Sequence, residues 1–192
     1  MPTTVIMPRL FVSLPTPQAV LPRLADVREH LRAAHADVAW EPTEKLHCTL
    51  KFLGDTQEQR AAPLRDTIAS IARTTPPFPV VYGGTGCFPD PRDPRIIWAG
   101  VTDTGGELLR LVETLESALA ALGFDRERRR FHPHVTLGRV RGARSLDVLL
   151  ATMETLTFEN PPVLIQELEL VKSTLRPAGS VYSPVFRTRL GG

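Results

Sequence analysis

Cysteine is nearly absent from this chain: Cys48 and Cys87 are the only two in 192 residues. They lie far apart and match neither a Cys-x-x-Cys redox motif nor a zinc-ligand spacing. That excludes a disulfide scaffold and a thiolate metal module, and predicts two buried, reduced thiols. Aromatic residues make up 6% of the chain and the formal net charge is only +2, too small a balance to mark a general nucleic-acid binder. No apolar run approaches the roughly eighteen residues that a membrane span needs. The opening Met1-Pro2-Thr3-Thr4 lacks the basic and long apolar regions of a secretory signal, so cytoplasmic work without a membrane partner is expected. Low-complexity stretches and long linkers are missing as well, and the length suffices to bury a core without covalent support.

What the chain does contain is one short signature twice. His47-Cys48-Thr49-Leu50 and His134-Val135-Thr136-Leu137 lie in opposite halves, each inside an apolar run that reads as a strand. Chance alone gives two such tetrapeptides about once in a thousand chains of this length. Strand side chains alternate faces, so His47 and Thr49 share one face, and His134 and Thr136 do the same. Each copy thus presents an imidazole beside a hydroxyl. Two copies facing each other supply two proton-transfer groups and two neutral donors, which suits a reaction at phosphorus. A lone histidine in an apolar strand is usually a hydrogen-bonded core residue; the matched duplication argues against that here. His30 and His35 fall in a polar, arginine-rich stretch and read as surface residues.

The pattern along the chain predicts an α+β fold. Leu10, Val12 and Leu14 alternate with Arg9, Phe11 and Ser13 as in a half-buried strand, leaving Phe11 on the face opposite the aliphatic residues. Helical spacing runs from Pro17 to Ala34, with Thr16 as the expected N-cap. Strands follow near Val38–Trp40 and from His47 to Leu53, then a helix from Gln57 to Arg73. Further strands are expected at Phe78–Phe88 and Arg95–Val101, a helix at Gly106–Leu122, the second motif strand to Val140, and a short helix at Ser145–Met153. Two last strands, Leu164–Leu175 and Val181–Leu190, flank the turn Arg176-Pro177-Ala178-Gly179. Several strands adjoin without a crossover helix, which favours mostly antiparallel sheets. The simplest arrangement is one bilobal domain over residues 1–192, each lobe carrying one motif (47–50 and 134–137), with the two facing across a cleft.

Neighbouring residues extend the candidate site. Lys51 has the parity of His47 and Thr49, placing a cation at the edge of the same face as a candidate phosphate ligand. Arg139 has the wrong parity unless a bulge at Gly138 turns it inward, as glycine in a strand often permits. Phe11 is positioned to stack on a base, whereas Trp98, within Ile96-Ile97-Trp98, reads as a core aromatic. Arg126, Arg128, Arg129, Arg130, Arg139, Arg141 and Arg144 crowd around the second motif, and Arg130 among them is a candidate RNA contact.

With these blocks in view, the chain resembles the two-histidine (2H) phosphoesterases and, among them, the RNA 2′,3′-cyclic phosphodiesterases historically called 2′-5′ RNA ligases. The resemblance rests on Arg9-Leu10-Phe11-Val12-Ser13-Leu14, Leu46 through Gly54, Trp98-Ala99-Gly100, Phe131 through Arg139, Ser173-Thr174-Leu175 and Tyr182. It implies a bilobal fold of two mostly antiparallel sheets about a pseudo-twofold axis, with helices on the outer faces. It also implies cofactor-free, metal-independent hydrolysis of RNA 2′,3′-cyclic phosphate ends, or of a cyclic nucleotide, to 2′-phosphomonoesters. By motif position His47 becomes the general acid and His134 the general base; Thr49 and Thr136 meet the phosphate, and Phe11 and Arg139 lie near the nucleobase. Some relatives also join RNA halves through a 2′-5′ linkage at the same site. The expected protein is a monomer.

Two rival readings remain open on sequence. One is a metal-dependent phosphohydrolase with His47, His132 and His134 as ligands, although no carboxylate lies at a recognisable ligand spacing. The other is a catalytically silent RNA-binding protein that uses the basic loop and exposed aromatics.

Overall fold

The computed structural model describes residues 8–176 and 179–192. The reading of Met1–Thr4, and Pro177 and Ala178 of the expected turn, lie outside the described residues. Among the described residues nine strands form: β1 (Arg9–Pro15), β2 (Val38–Trp40), β3 (His47–Asp55), β4 (Phe78–Phe88), β5 (Ile96–Thr102), β6 (His134–Val140), β7 (Val163–Ile165), β8 (Glu167–Arg176) and β9 (Gly179–Arg189). Four α-helices accompany them: α1 (Leu21–Arg32), α2 (Ala61–Thr74), α3 (Glu107–Ala121) and α4 (Leu146–Thr155).

The strands follow the order β7-β4-β5-β6-β3-β1-β8-β9, with β2 added beside β6. Every pairing between these strands is antiparallel. The α+β class is as expected, but the strands form one continuous sheet where two were expected; its order reads as two four-strand halves meeting at β6 and β3, the two motif strands. The halves are joined rather than separate, because Cys48 pairs with Val135 across the seam. Aliphatic side chains on the outer face form the core: Leu10, Val12 and Leu14 from β1, Cys48 and Leu50 from β3, and Val135 and Leu137 from β6 are all buried. Helices α2 and α3 pack on each other and on the half containing β3, β8 and β9, while α1 and α4 pack together and α4 rests on β4. The apolar stripes that face the sheet are Leu64, Ile68 and Ile71 in α2 and Leu108, Leu111, Leu115 and Leu119 in α3.

Two expectations change for identifiable reasons. Helix α1 begins at Leu21, not Pro17, and its N-cap is Val20 rather than Thr16. Pro22 lacks the N–H that a helix starting earlier would need, so it is tolerated only in the first turn; Pro17 instead closes a turn by accepting the N–H of Val20 at 2.9 Å. The expected strand Leu164–Leu175 divides at Gln166, because Val163–Ile165 pairs with β4 in one half and Glu167 onward pairs with β1 and β9 in the other.

Candidate active site

Both motif strands carry an irregularity at the same place. In β3, Val12 pairs with Lys51 but Ser13 pairs with Thr49, so Leu50 is an extra residue relative to β1. In β6, Ile97 pairs with Gly138 but Trp98 pairs with Thr136, so Leu137 is extra relative to β5. An extra residue shifts side-chain parity by one. The residue two after each motif threonine therefore joins the core side, and the third turns into the cleft. In β3 these are Lys51 and Phe52; in β6 they are Gly138 and Arg139.

This corrects the placement of Lys51. Its side chain is buried on the helix side, where Nζ donates to Glu116 Oε2 at 2.8 Å and to the carbonyl of Asp125 at 2.7 Å. It cannot reach a ligand in the cleft. The inward turn of Arg139, by contrast, occurs at the bulge expected beside Gly138. A Cβ at Gly138 would lie 2.6 Å from Val38 and 2.9 Å from Trp40, so only glycine lets β2 close over this bulge.

His47, Thr49, His134, Thr136 and Arg139 all line one cleft of about 520 Å³. The imidazoles are held alike. His47 Nδ1 lies 2.6 Å from the carbonyl of Lys45 and His134 Nδ1 lies 2.7 Å from the carbonyl of His132, each two residues back. A carbonyl only accepts, so each Nδ1 carries the proton and Nε2 is left to exchange protons with a ligand. Burial pushes both imidazoles below their ordinary pKa of 6.5, and the main-chain hydrogen bonds partly oppose it. The positive neighbours His134 and Arg139 lower His47 further, and His132 lowers His134.

The walls around the two rings differ. Phe11 stacks on His47 with centroids 4.9 Å apart and planes 22° apart, and Tyr182 meets both rings edge-on at 5.2 and 5.4 Å. Phe11 is only 3% exposed. The expectation that it stacks on a base is therefore corrected: His47 takes its face, and Phe11 positions the imidazole. The open ring is Phe52, which is 73% exposed and lines the cleft. Sequence parity hid Phe52, and the bulge at Leu50 that exposes it has no residue-type signature.

On the other side, Phe88 meets His134 edge-on at 4.9 Å, and Trp98 lies 4.7 Å from the exposed His132. Arg130 is exposed and is not among the described residues lining the cleft. Arg126 and Arg129 of the same loop are paired with Glu113 and Glu127 on the surface. His30 and His35 are exposed, as expected, while Cys87 is half-buried rather than buried. Among the described residues no three His, Cys, Asp or Glu side chains gather in a way that could hold a metal ion, so the histidine-ligand alternative finds no such cluster.

Similarity to known proteins extends over most of the chain. The model of the LigT-like phosphoesterase family matches residues 14–98 and 100–182. An RNA 2′,3′-cyclic phosphodiesterase of Aeropyrum pernix is 33% identical over 168 residues, covering 87% of this chain and 94% of that protein. One of the same name from Methanothermobacter thermautotrophicus is 33% identical over 184 residues, covering 93% and 98%. Among solved structures, TT0787 of Thermus thermophilus superposes with a TM-score of 0.80 at 26% identity, covering 96% of this chain and 98% of that one.

Proposed function

The chain belongs to the LigT-like phosphoesterase family, and from that premise we propose that it hydrolyses RNA 2′,3′-cyclic phosphate ends to 2′-phosphomonoesters by two-histidine acid–base catalysis without a metal. The observation that carries this reading is the matched tethering of His47 and His134 through Nδ1, which leaves both Nε2 atoms for one ligand in a shared cleft.

With the cyclic phosphate between the motifs, His134 Nε2 takes a proton from a water that attacks phosphorus. The bond from phosphorus to O3′ breaks, and His47 donates its Nε2 proton to the departing oxygen. Each transfer is worth about 10²- to 10⁴-fold. Negative charge gathers on the non-bridging oxygens, where the Thr49 and Thr136 hydroxyls donate hydrogen bonds. Arg139 adds a fixed positive charge, and the open face of Phe52 receives the terminal base. The imidazoles end with their protonation exchanged, and solvent restores them. A ribose 5′-hydroxyl attacking in place of water gives 2′-5′ joining by the same groups. No helix of the described residues is long and apolar enough to cross a membrane; we place the enzyme in the cytoplasm, acting as a monomer.

The test is turnover of an RNA ending in a 2′,3′-cyclic phosphate with a chelator present, followed by identification of the product. The expected product is the 2′-phosphate, and His47→Gln and His134→Gln should each lower kcat by at least about 10²-fold. A 3′-phosphate product would reverse the acid and base assignments. Activity lost to the chelator and restored by zinc would overturn the metal-free mechanism, and undiminished RNA binding with no turnover would favour a silent binding protein.

A further inference from the structure

Glu41 is the one carboxylate among the described residues lining the cleft. In a site built for a phosphate anion, a carboxylate opposes binding unless its position serves a purpose. Its position is built. The Glu41 N–H donates to the carbonyl of Leu137, the extra residue of the β6 bulge, at 2.8 Å. The Glu41 carbonyl accepts from the Arg28 guanidinium of α1 at 2.7 Å, and the same guanidinium reaches Thr43 Oγ1 at 3.1 Å. Its backbone is thus fixed at both polar groups, and the carboxylate stands 3.4 Å from Arg139 Nε.

We infer that Glu41 selects ligands by charge, favouring the singly charged cyclic diester over the doubly charged monoester that the reaction makes. The inference rests on the function proposed above. A cyclic phosphodiester carries one negative charge, whereas a phosphomonoester carries nearly two at neutral pH because its second ionisation falls near pH 6. Arg139, Lys45 and Arg9 in the cleft would by themselves hold the product more tightly than the substrate. A fixed negative charge beside Arg139 acts in the opposite sense, and its repulsion scales with ligand charge. The dianionic product is penalised about twice as heavily, on a logarithmic scale, as the monoanionic substrate. Glu41 thereby hastens product release without touching the reacting atoms.

The experiment compares wild type with Glu41→Gln, which keeps the backbone hydrogen bonds and removes the charge. Affinity for adenosine 2′-monophosphate is measured by calorimetry at about pH 7.5 and about pH 5, on either side of the second phosphate ionisation, and KM is measured for adenosine 2′,3′-cyclic phosphate. At the higher pH the variant should bind the monoester about tenfold more tightly and lower KM for the cyclic diester about threefold. At the lower pH, where the monoester carries a single charge, its gain should shrink to about threefold. The other titratable or charged groups facing this space are Arg139, His134, His47, Lys45, Arg9 and Tyr182, with Arg28 of α1 at the Glu41 carbonyl and Asp55 paired with Arg9. They are present in both proteins, so their direct attraction for the monoester cancels at each pH, and calorimetry in two buffers of different ionisation enthalpy measures any change in proton uptake by His47 and His134 that the substitution causes. Equal tightening of both ligands, no tightening, or a gain that does not depend on pH would overturn the inference. The calorimetry needs no turnover: wild type that binds the monoester but hydrolyses no cyclic phosphate would count against the proposed reaction and leave the charge comparison to stand or fall by itself.

Discussion

At the scale of single residues, the two imidazoles share a tether but not a wall. Burial lowers both, and each hydrogen bond to a main-chain carbonyl recovers part of the loss. The acid must be protonated and the base must not, so activity rises as pH climbs through the pKa of His134 and falls as pH climbs through that of His47. With both lowered in the free protein, the bell of kcat/KM should have its centre below the ordinary imidazole value of 6.5. A bound phosphodiester places negative charge between the rings and favours their protonated forms, so the bell for kcat should sit at higher pH. Steady-state kinetics across about pH 4 to 9 check this. A kcat/KM profile centred above the ordinary value, or coincident profiles for the two parameters, would contradict it. Part of this site was legible in the sequence because a strand's period of two put histidine and threonine together. The role of Phe11 was not: its parity is right, but the sheet's curl brings His47 and Tyr182 against its ring and leaves it no open face.

At the scale of elements, the deciding features are the two bulges. Each reverses the faces of the two residues that follow it, so that the first joins the core side and the second enters the cleft. Lys51 faces the helices for this reason, and its partners there define a different duty. It joins β3 to α3 through Glu116, whose Oε2 also accepts the N–H of Glu127 at 3.1 Å, and so pins the loop that leads to the second motif. Breaking one side of a buried ion pair strands the other charge and costs about 3–5 kcal/mol, whereas replacing both partners with apolar residues of similar volume is often neutral. Lys51→Met should therefore lower Tm sharply, and the double variant Lys51→Met/Glu116→Leu should recover part of the loss but not all of it, because the Asp125 carbonyl and the Glu127 N–H lose their partners. KM in the double variant should stay within about twofold of wild type, since no phosphate contact has been removed. A KM raised about tenfold in a well-folded double variant would return Lys51 to the phosphate. The bulge beside Gly138 could be anticipated because glycine inside a strand marks a bulge or the close approach of another backbone, whereas the one at Leu50 could not, since nothing but residues that any regular strand accepts surrounds it.

At the scale of the whole molecule, the pseudo-symmetric halves meet along β3 and β6 through a pairing that includes only Cys48 and Val135 among the described residues, while the cleft draws its histidines from both sides. Ligand affinity and the integrity of this seam are therefore linked: a ligand that needs both halves binds only when the seam is closed. Cys48 reports on that closure, because its thiol is wholly buried at the seam and burial pushes its pKa up to about 12. Cys87 is half-buried and also raised, by burial and by Asp90, but it needs no opening of the seam to meet a reagent. A thiol reagent at neutral pH should modify Cys87 first and Cys48 only through rare opening. Adenosine 2′-monophosphate at about a hundred times its Kd should then slow the Cys48 phase by about 10²-fold, and leave the Cys87 phase nearly unchanged. Mass spectrometry of the two cysteine peptides over time separates the phases. Slowing of both by the same factor would mean that the ligand tightens the entire fold, and an unaffected Cys48 would mean that the halves open without disturbing the site.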